Sequence, residues 1–267
     1  MLLKDKVALI TGAARGIGRA TARIMSQEGA SVGVVDILPE VEETARQIRE
    51  FGGQAAAAVF DISNPSQSAE GVKKIQKELG QVDILVNNAG IVNNIAWLRK
   101  MKFEAWQREI GVNLSGAFIM IQLVIGPMIE KKWGRIINVS SGGATGGLHK
   151  QVAYASSKAG LLGLTKTVTL EHARDGITCN AVLPGLIGTE LVNLMPEEIK
   201  KNALTMIPTR RLGEMKEVAH LICFLASDRA GFINGEEIHI DGGGRLNVST
   251  LGSRREIEET EKLRSKE

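Results

Sequence analysis

The chain has 267 residues, 43% hydrophobic and 24% charged, with thirty glycines, six prolines, six phenylalanines, three tryptophans and one tyrosine. That balance excludes a disordered, collagen-like or low-complexity chain and favours aliphatic packing with close backbone approaches, as in a parallel sheet covered by helices. A formal charge of +3, from 33 basic and 30 acidic residues spread evenly, gives no nucleic-acid footprint.

The first residues, Met1-Leu2-Leu3-Lys4-Asp5-Lys6, lack the apolar run of a signal peptide. Charges or glycines are expected to interrupt every candidate membrane span, so a cytoplasmic protein with no membrane partner is expected. A short apolar run at 7–10 predicts the first strand, and Thr11-Gly12-Ala13-Ala14-Arg15-Gly16-Ile17-Gly18 joins it to a helix over 16–27. Glycines at such a turn let backbone approach a pyrophosphate, which the helical N–H groups then hold. The spacing, Gly-x3-Gly-x-Gly, also suits a tight turn with no ligand. Gly29 follows as a helix-ending glycine, and a second strand over 31–36 ends at Asp36.

A carboxylate at that strand end can accept hydrogen bonds from the adenosine ribose hydroxyls, which favours NAD over NADP. A 2′-phosphate about 4 Å from it would cost about 4 kcal/mol at an effective dielectric of about 20. Arg15 is the counterweight, able to reach a 2′-phosphate, the pyrophosphate or solvent. The bland role for Asp36 is capping the following segment.

Further strands are predicted over 55–60, 82–87, 135–140, 178–183 and 237–240, and further helices over 40–51, 65–79, 103–132, 152–174 and 215–227. Asn64-Pro65 reads as a cap followed by proline at the first helical position. About seven strands then form one doubly wound α/β Rossmann domain over 1–244. Residues 188–212 break the alternation with Leu194, Met195, Met206 and Ile207 among polar residues, which suggests a substrate lid or a packed helical insertion. Residues 245–267 form a polar, mixed-charge tail. Cys179 and Cys223 lie alone in apolar segments and read as buried free thiols, and the four scattered histidines suggest no metal site.

Tyr154 is the sole tyrosine, and Lys158 lies four residues later on a predicted helix, so both project from one face. A phenol titrates too high to shuttle protons near neutrality, and an adjacent ammonium is expected to lower it. The bland alternative is an amphipathic helix with an ordinary exposed lysine.

With Asn87-Asn88-Ala89-Gly90, Ser140-Ser141, Tyr154-Ala155-Ser156-Ser157-Lys158 and Pro184-Gly185 at successive strand ends, the chain resembles the short-chain dehydrogenase/reductase family over residues 6–244. The resemblance implies reversible hydride transfer between a nicotinamide and a secondary alcohol or ketone, without a metal. It places Gly12, Gly16, Ile17 and Gly18 at the pyrophosphate, Asp61 and Ile62 beside the adenine, and Asn88, Ala89 and Gly90 along the adenosine and ribose. After Pro184 and Gly185, Ile187 would meet the nicotinamide carboxamide through its backbone, with Thr189 close by. Tyr154 would move the proton, Lys158 would grip the nicotinamide ribose, Ser141 would hold the substrate oxygen, and Asn113 would interrupt its helix and hold a water in a relay with Lys158, with a plain helix break as its bland role. Local turn or bracketing roles for Asp61, Asn87 and Asn88 stand beside these.

The same layout implies pocket walls from 91–98, 142–151 and 188–212. Within the family the chain looks most like 3-oxoacyl thioester reductases and relatives acting on cyclic secondary alcohols. Asp175 stands where carrier-protein reductases tend to present a basic residue, which weakens a carrier-protein substrate. A redox sensor on the same fold would predict a broken catalytic set, and this set is complete. The helix over 152–174 is apolar around much of its circumference, so a homotetramer built on it and the 103–132 helix is expected.

Overall fold

The computed structural model describes residues 1–246, 258, 259, 261 and 262, so all but six residues of the expected 245–267 tail lie outside the described residues. Seven parallel strands form one sheet: β1 (Val7–Thr11), β2 (Ser31–Asp36), β3 (Ala55–Val59), β4 (Ile84–Asn87), β5 (Gly134–Val139), β6 (Ile177–Pro184) and β7 (Glu237–Ile240). Their order, β3-β2-β1-β4-β5-β6-β7, reverses direction between β1 and β4. Open α/β sheets bind ligands at the carboxyl ends of the strands beside such a reversal.

The strands are mostly apolar because both faces are covered, and side chains alternate between two layers. Ala8, Ile10, Val32 and Val34 pack with Met25, Val218 and Ile222 of α1 (Gly16–Gln27) and α10 (Met215–Leu225), whose neighbour α2 (Val41–Glu50) completes that layer. Leu9 and Val35 face the other way, onto Val72 and Ile75 of α3 (Pro65–Leu79) and Met120, Val124 and Met128 of α5 (Gly116–Lys131). Asn64 caps α3 as expected, its side chain accepting from the N–H groups of Ser66 and Gln67 at 3.1 and 3.2 Å.

Two expected helices differ. The 103–132 stretch is α4 (Phe103–Ile110), a π turn over Gly111–Ser115, and then α5. The 152–174 helix, α7 (Val152–His172), tightens into a 3-10 turn over Ala173–Asp175. The membrane expectation also needs correcting, because Phe103–Lys131 is long and apolar enough by length and composition to cross a bilayer. Here it is a core helix, with Val112, Met120, Ile121, Val124 and Met128 buried against the sheet.

A short α6 (Gly143–Gly146) precedes α7, and the 188–212 segment contains α8 (Glu190–Asn193) and α9 (Glu197–Thr205). Its base is closed by a bridge between Ile187 and Gly213, and Ile207 is buried, whereas Leu194 and Met206 are exposed. Cys179 and Cys223 are buried free thiols, and burial pushes both up to about 12.

Candidate active site

The turn between β1 and α1 lies at the strand reversal. Gly12 and Gly16 adopt φ of +67° and +59°, which only glycine takes without strain. A Cβ on Gly18 would stand 2.1 Å from the Gly12 carbonyl oxygen, so that helix can approach its strand only with glycine there. No side chain caps the first turn of α1, and Arg15 at its N-cap is exposed. Unsatisfied N–H groups and the positive end of the helix dipole suit a phosphate at this spot. The space over Gly16 is bounded by Thr189 and Glu190, the nearest atoms to an added Cβ, each at 3.8 Å. Glu190 is tied back to α1 by an ion pair with Arg19 at 2.8 Å.

Asp36 does stand beside this cradle. Its carboxylate accepts from the Ala14 N–H at 3.0 Å and the Leu38 N–H at 3.1 Å, so it also fills the local capping role. Asn88 brackets β1 to β4, donating to the carbonyls of Thr11 and Gly12 at 2.9 and 3.0 Å. Thr11 completes the bracket, its hydroxyl accepting from the N–H groups of Asn88 and Ala89 at 3.1 and 3.0 Å. Asp61 is engaged by Ser63 and by Arg108, 2.8 Å away. Burial alone would raise its carboxyl, but these donors hold it below the usual range. The neighbouring Ile62 is buried.

Beyond β6, Pro184 accepts from the Gly142 N–H at 3.1 Å and Gly185 donates to Ile240 at 3.0 Å. Ile187 is buried, and Thr189 donates its N–H to the Ile187 carbonyl at 2.7 Å. Gly90 lies against the far side of the same opening, where an added Cβ would meet Lys158 Nζ at 3.1 Å and Asn113 Oδ1 at 3.4 Å. Glycine there leaves room for both side chains.

The structure brings Asn113, Ser141, Tyr154 and Lys158 together. Ser141 hydrogen-bonds to Tyr154 and accepts from the Gly143 N–H at 3.1 Å. Ser140 points elsewhere, its hydroxyl donating to the Lys158 carbonyl at 2.8 Å, as alternation along an extended strand requires. Buried Lys158 donates to the Val139 carbonyl at 2.7 Å, with its ammonium 5.8 Å from the Tyr154 ring centre. Asn113, in the π turn, donates to the Ile91 carbonyl at 2.9 Å and to Ser157 Oγ at 3.0 Å, and accepts from the Ile91 N–H at 2.7 Å.

The expected lowering of Tyr154 by Lys158 is corrected. Burial pushes the phenol up, the Ser141 hydrogen bond opposes this only in part, and the Glu109 carboxylate adds to the rise. Burial also lowers Lys158 to about 8, and its ammonium is aimed at a carbonyl oxygen of β5. Desolvation is the leading cause of both shifts.

The chain is similar to known proteins over most of its length. A family profile described as Enoyl-(Acyl carrier protein) reductase matches residues 12–245. The chain belongs to the short-chain dehydrogenase/reductase family. It is 43% identical over 244 residues to the 3-oxoacyl-(acyl-carrier-protein) reductase of Thermotoga maritima, covering 91% of this chain and 99% of that protein. It is 40% identical over 247 residues to the BbsD subunit of (2S)-((R)-hydroxy(phenyl)methyl)succinyl-CoA dehydrogenase from Thauera aromatica, covering 92% and 99% of the two chains. The crystal structure of levodione reductase superposes with a TM-score of 0.88 at 31% identity, covering 91% of this chain and 98% of that one.

This short-chain dehydrogenase/reductase is therefore an oxidoreductase. Its site also uses residues that sequence reasoning missed: Thr11 as the bracket's acceptor, Ser157 beside Asn113, and Glu109 beneath the loop after β4. Glu109 precedes Asn113 by four residues, a spacing that puts both near one helix face and could have drawn attention to it.

Proposed function

We propose that the chain interconverts a secondary alcohol and a ketone with NAD(H), the substrate being a 3-oxoacyl or 3-hydroxyacyl thioester. The observation that carries this reading is the convergence of Ser141, Tyr154 and Lys158 beside the glycine cradle at the strand reversal. Gly12, Gly16, Ile17 and Gly18 would hold the pyrophosphate, and Asp36 would accept from the adenosine ribose. Arg15 would meet phosphate, Asp61 and Ile62 would flank the adenine, and Asn88 to Gly90 would line the adenosine side. Pro184, Gly185, Ile187 and Thr189 would seat the nicotinamide end, whose ring supplies or takes up the hydride.

In ketone reduction Ser141 orients the substrate oxygen and Tyr154 donates its phenolic proton there as negative charge develops. Alcohol oxidation runs the same path backwards, with the phenolate taking the proton. Lys158 would bind the nicotinamide ribose and, while protonated, stabilise that phenolate, and Asn113 would connect Lys158 to bulk water through a relay.

A coenzyme A thioester is favoured over a carrier-protein thioester because the lysines closing α5 are already neutralised. Lys131 pairs with Asp83 at 2.7 Å and Lys132 with Asp175 at 2.6 Å, leaving little net positive charge there for an acidic carrier. The BbsD relative is named for a CoA thioester bearing a secondary hydroxyl. The reading includes a homotetramer in the cytoplasm, where buried Cys179 and Cys223 stay reduced.

The test is oxidation of NADH and NADPH with acetoacetyl-CoA, longer 3-oxoacyl-CoA and a panel of cyclic ketones. Thioester turnover with NADH supports the reading. Turnover confined to cyclic ketones replaces it with a cyclic alcohol dehydrogenase, and NADH binding without any turnover replaces it with a redox sensor.

A further inference from the structure

The segment after β6 reaches back to the glycine turn between β1 and α1. Its base is pinned, Gly188 donating its N–H to the Gly213 carbonyl at 2.9 Å and Gly213 donating to the Leu186 carbonyl at 3.0 Å. Thr189 then starts α8, its carbonyl accepting from the Asn193 N–H at 2.9 Å. Thr189 and Glu190 each come within 3.8 Å of where a Cβ on Gly16 would stand, so a phosphate held by the first turn of α1 is walled in by them.

Little else holds this segment down. α9 buries no residue, and Leu194, Ile199 and Met206 are exposed. Glu190 pairs with Arg19 of α1 at 2.8 Å, and among the described residues every other hydrogen bond and ion pair of 189–206 runs within 187–210. One ion pair is thus the polar tie between the segment and the helix that opens the cradle. Its side chains are 34% and 44% exposed, so the pair can break and re-form without stranding a buried charge. Arg19 also neutralises a carboxylate that would otherwise face the phosphate with like charge.

We propose that the Arg19–Glu190 pair is a latch that holds the start of the 188–212 segment across the cofactor's pyrophosphate and so governs how fast the cofactor leaves. This rests on the proposed binding of NAD(H) at the glycine turn. Release requires the stretch between the pinned base and buried Ile207 to swing away, and breaking this pair is the polar part of that motion.

The experiment is a double-mutant cycle of Arg19→Met, Glu190→Gln and the two together, read in two ways. Stopped-flow fluorescence of bound NADH chased with excess NAD⁺ gives the release rate. Limited trypsin digestion without cofactor, followed at Lys200 and Lys201 of α9, gives the opening of the segment. Each single substitution should speed release and cleavage about two- to fivefold, the range of one partly exposed pair, and the double variant should be no faster than the singles. Release at the wild-type rate in both single variants, or single effects that multiply in the double, would overturn the inference. A wild type that binds no NADH, yet shows the non-multiplying pattern in cleavage, would defeat the cofactor reading and leave the latch on the segment standing.

Discussion

At the scale of single residues, the site sets desolvation against charge. Tyr154 is raised by burial and Lys158 lowered to about 8, so the resting pair favours a neutral phenol. Ketone reduction, which needs the phenol, should hold through neutral pH and decline on the alkaline side. Alcohol oxidation, which needs the phenolate, should rise with pH, and paired pH profiles of kcat/KM check both signs. Tyr154→Phe should lower kcat by about 100- to 10,000-fold, the usual worth of a positioned acid or base, while NADH titration by fluorescence stays unchanged. Asp36→Ala removes the charge facing a 2′-phosphate and should raise the kcat/KM ratio of NADPH to NADH at least tenfold. The shared face of Tyr154 and Lys158 was legible from spacing, because a helix repeats at 3.6 residues, whereas Ser141 was legible only through the family resemblance. The Tyr154 shift was not, since it depends on burial by groups distant in sequence.

At the scale of elements, boundaries were legible where punctuation is local. Asn64-Pro65 starts α3, and Gly29, at φ +94°, ends α1 through a left-handed residue. Asn64→Ala should destabilise the protein by about 1 kcal/mol, measured by urea unfolding. The π turn was legible only as the helix interruption that the family resemblance puts at Asn113, because the 103–132 run is composed like one continuous helix. Its extra residue goes with ties from Asn113 and Glu109 to the loop after β4, contacts that no helix-period pattern encodes. A carboxylate in a short amphipathic helix also reads as a solvated group, which is why Glu109 escaped notice. The same logic explains the ion pair of Asp61 with Arg108, which appears only once α4 is docked, although its local turn with Ser63 was legible.

At the scale of the whole molecule, the doubly wound parallel class and the placing of the motifs at one sheet edge followed from alternation of apolar runs, whereas the strand order came only with the structure. Association is the remaining question at this scale. Leu170 on α7 is 85% exposed and Phe118 on α5 is 47% exposed, although the opposite faces of both helices are buried. Such side chains on two long helices suit a symmetric contact between copies. Sedimentation should show a tetramer at micromolar concentration, and Phe118→Asp should shift it to smaller species; a wild type that sediments only as monomer would refute the association.

The reversal of strand order that opens the cleft also governs how the chain comes off the ribosome. β1 finds its first neighbour, β2, almost at once, but its other edge stays open until β4 has been made, after β3 and α3. During that interval the nascent chain carries an unpaired apolar strand edge, a template for misassembly. Synthesis paused within α3 should therefore yield aggregation-prone fragments, whereas a pause after β5 should leave that edge sealed on both sides.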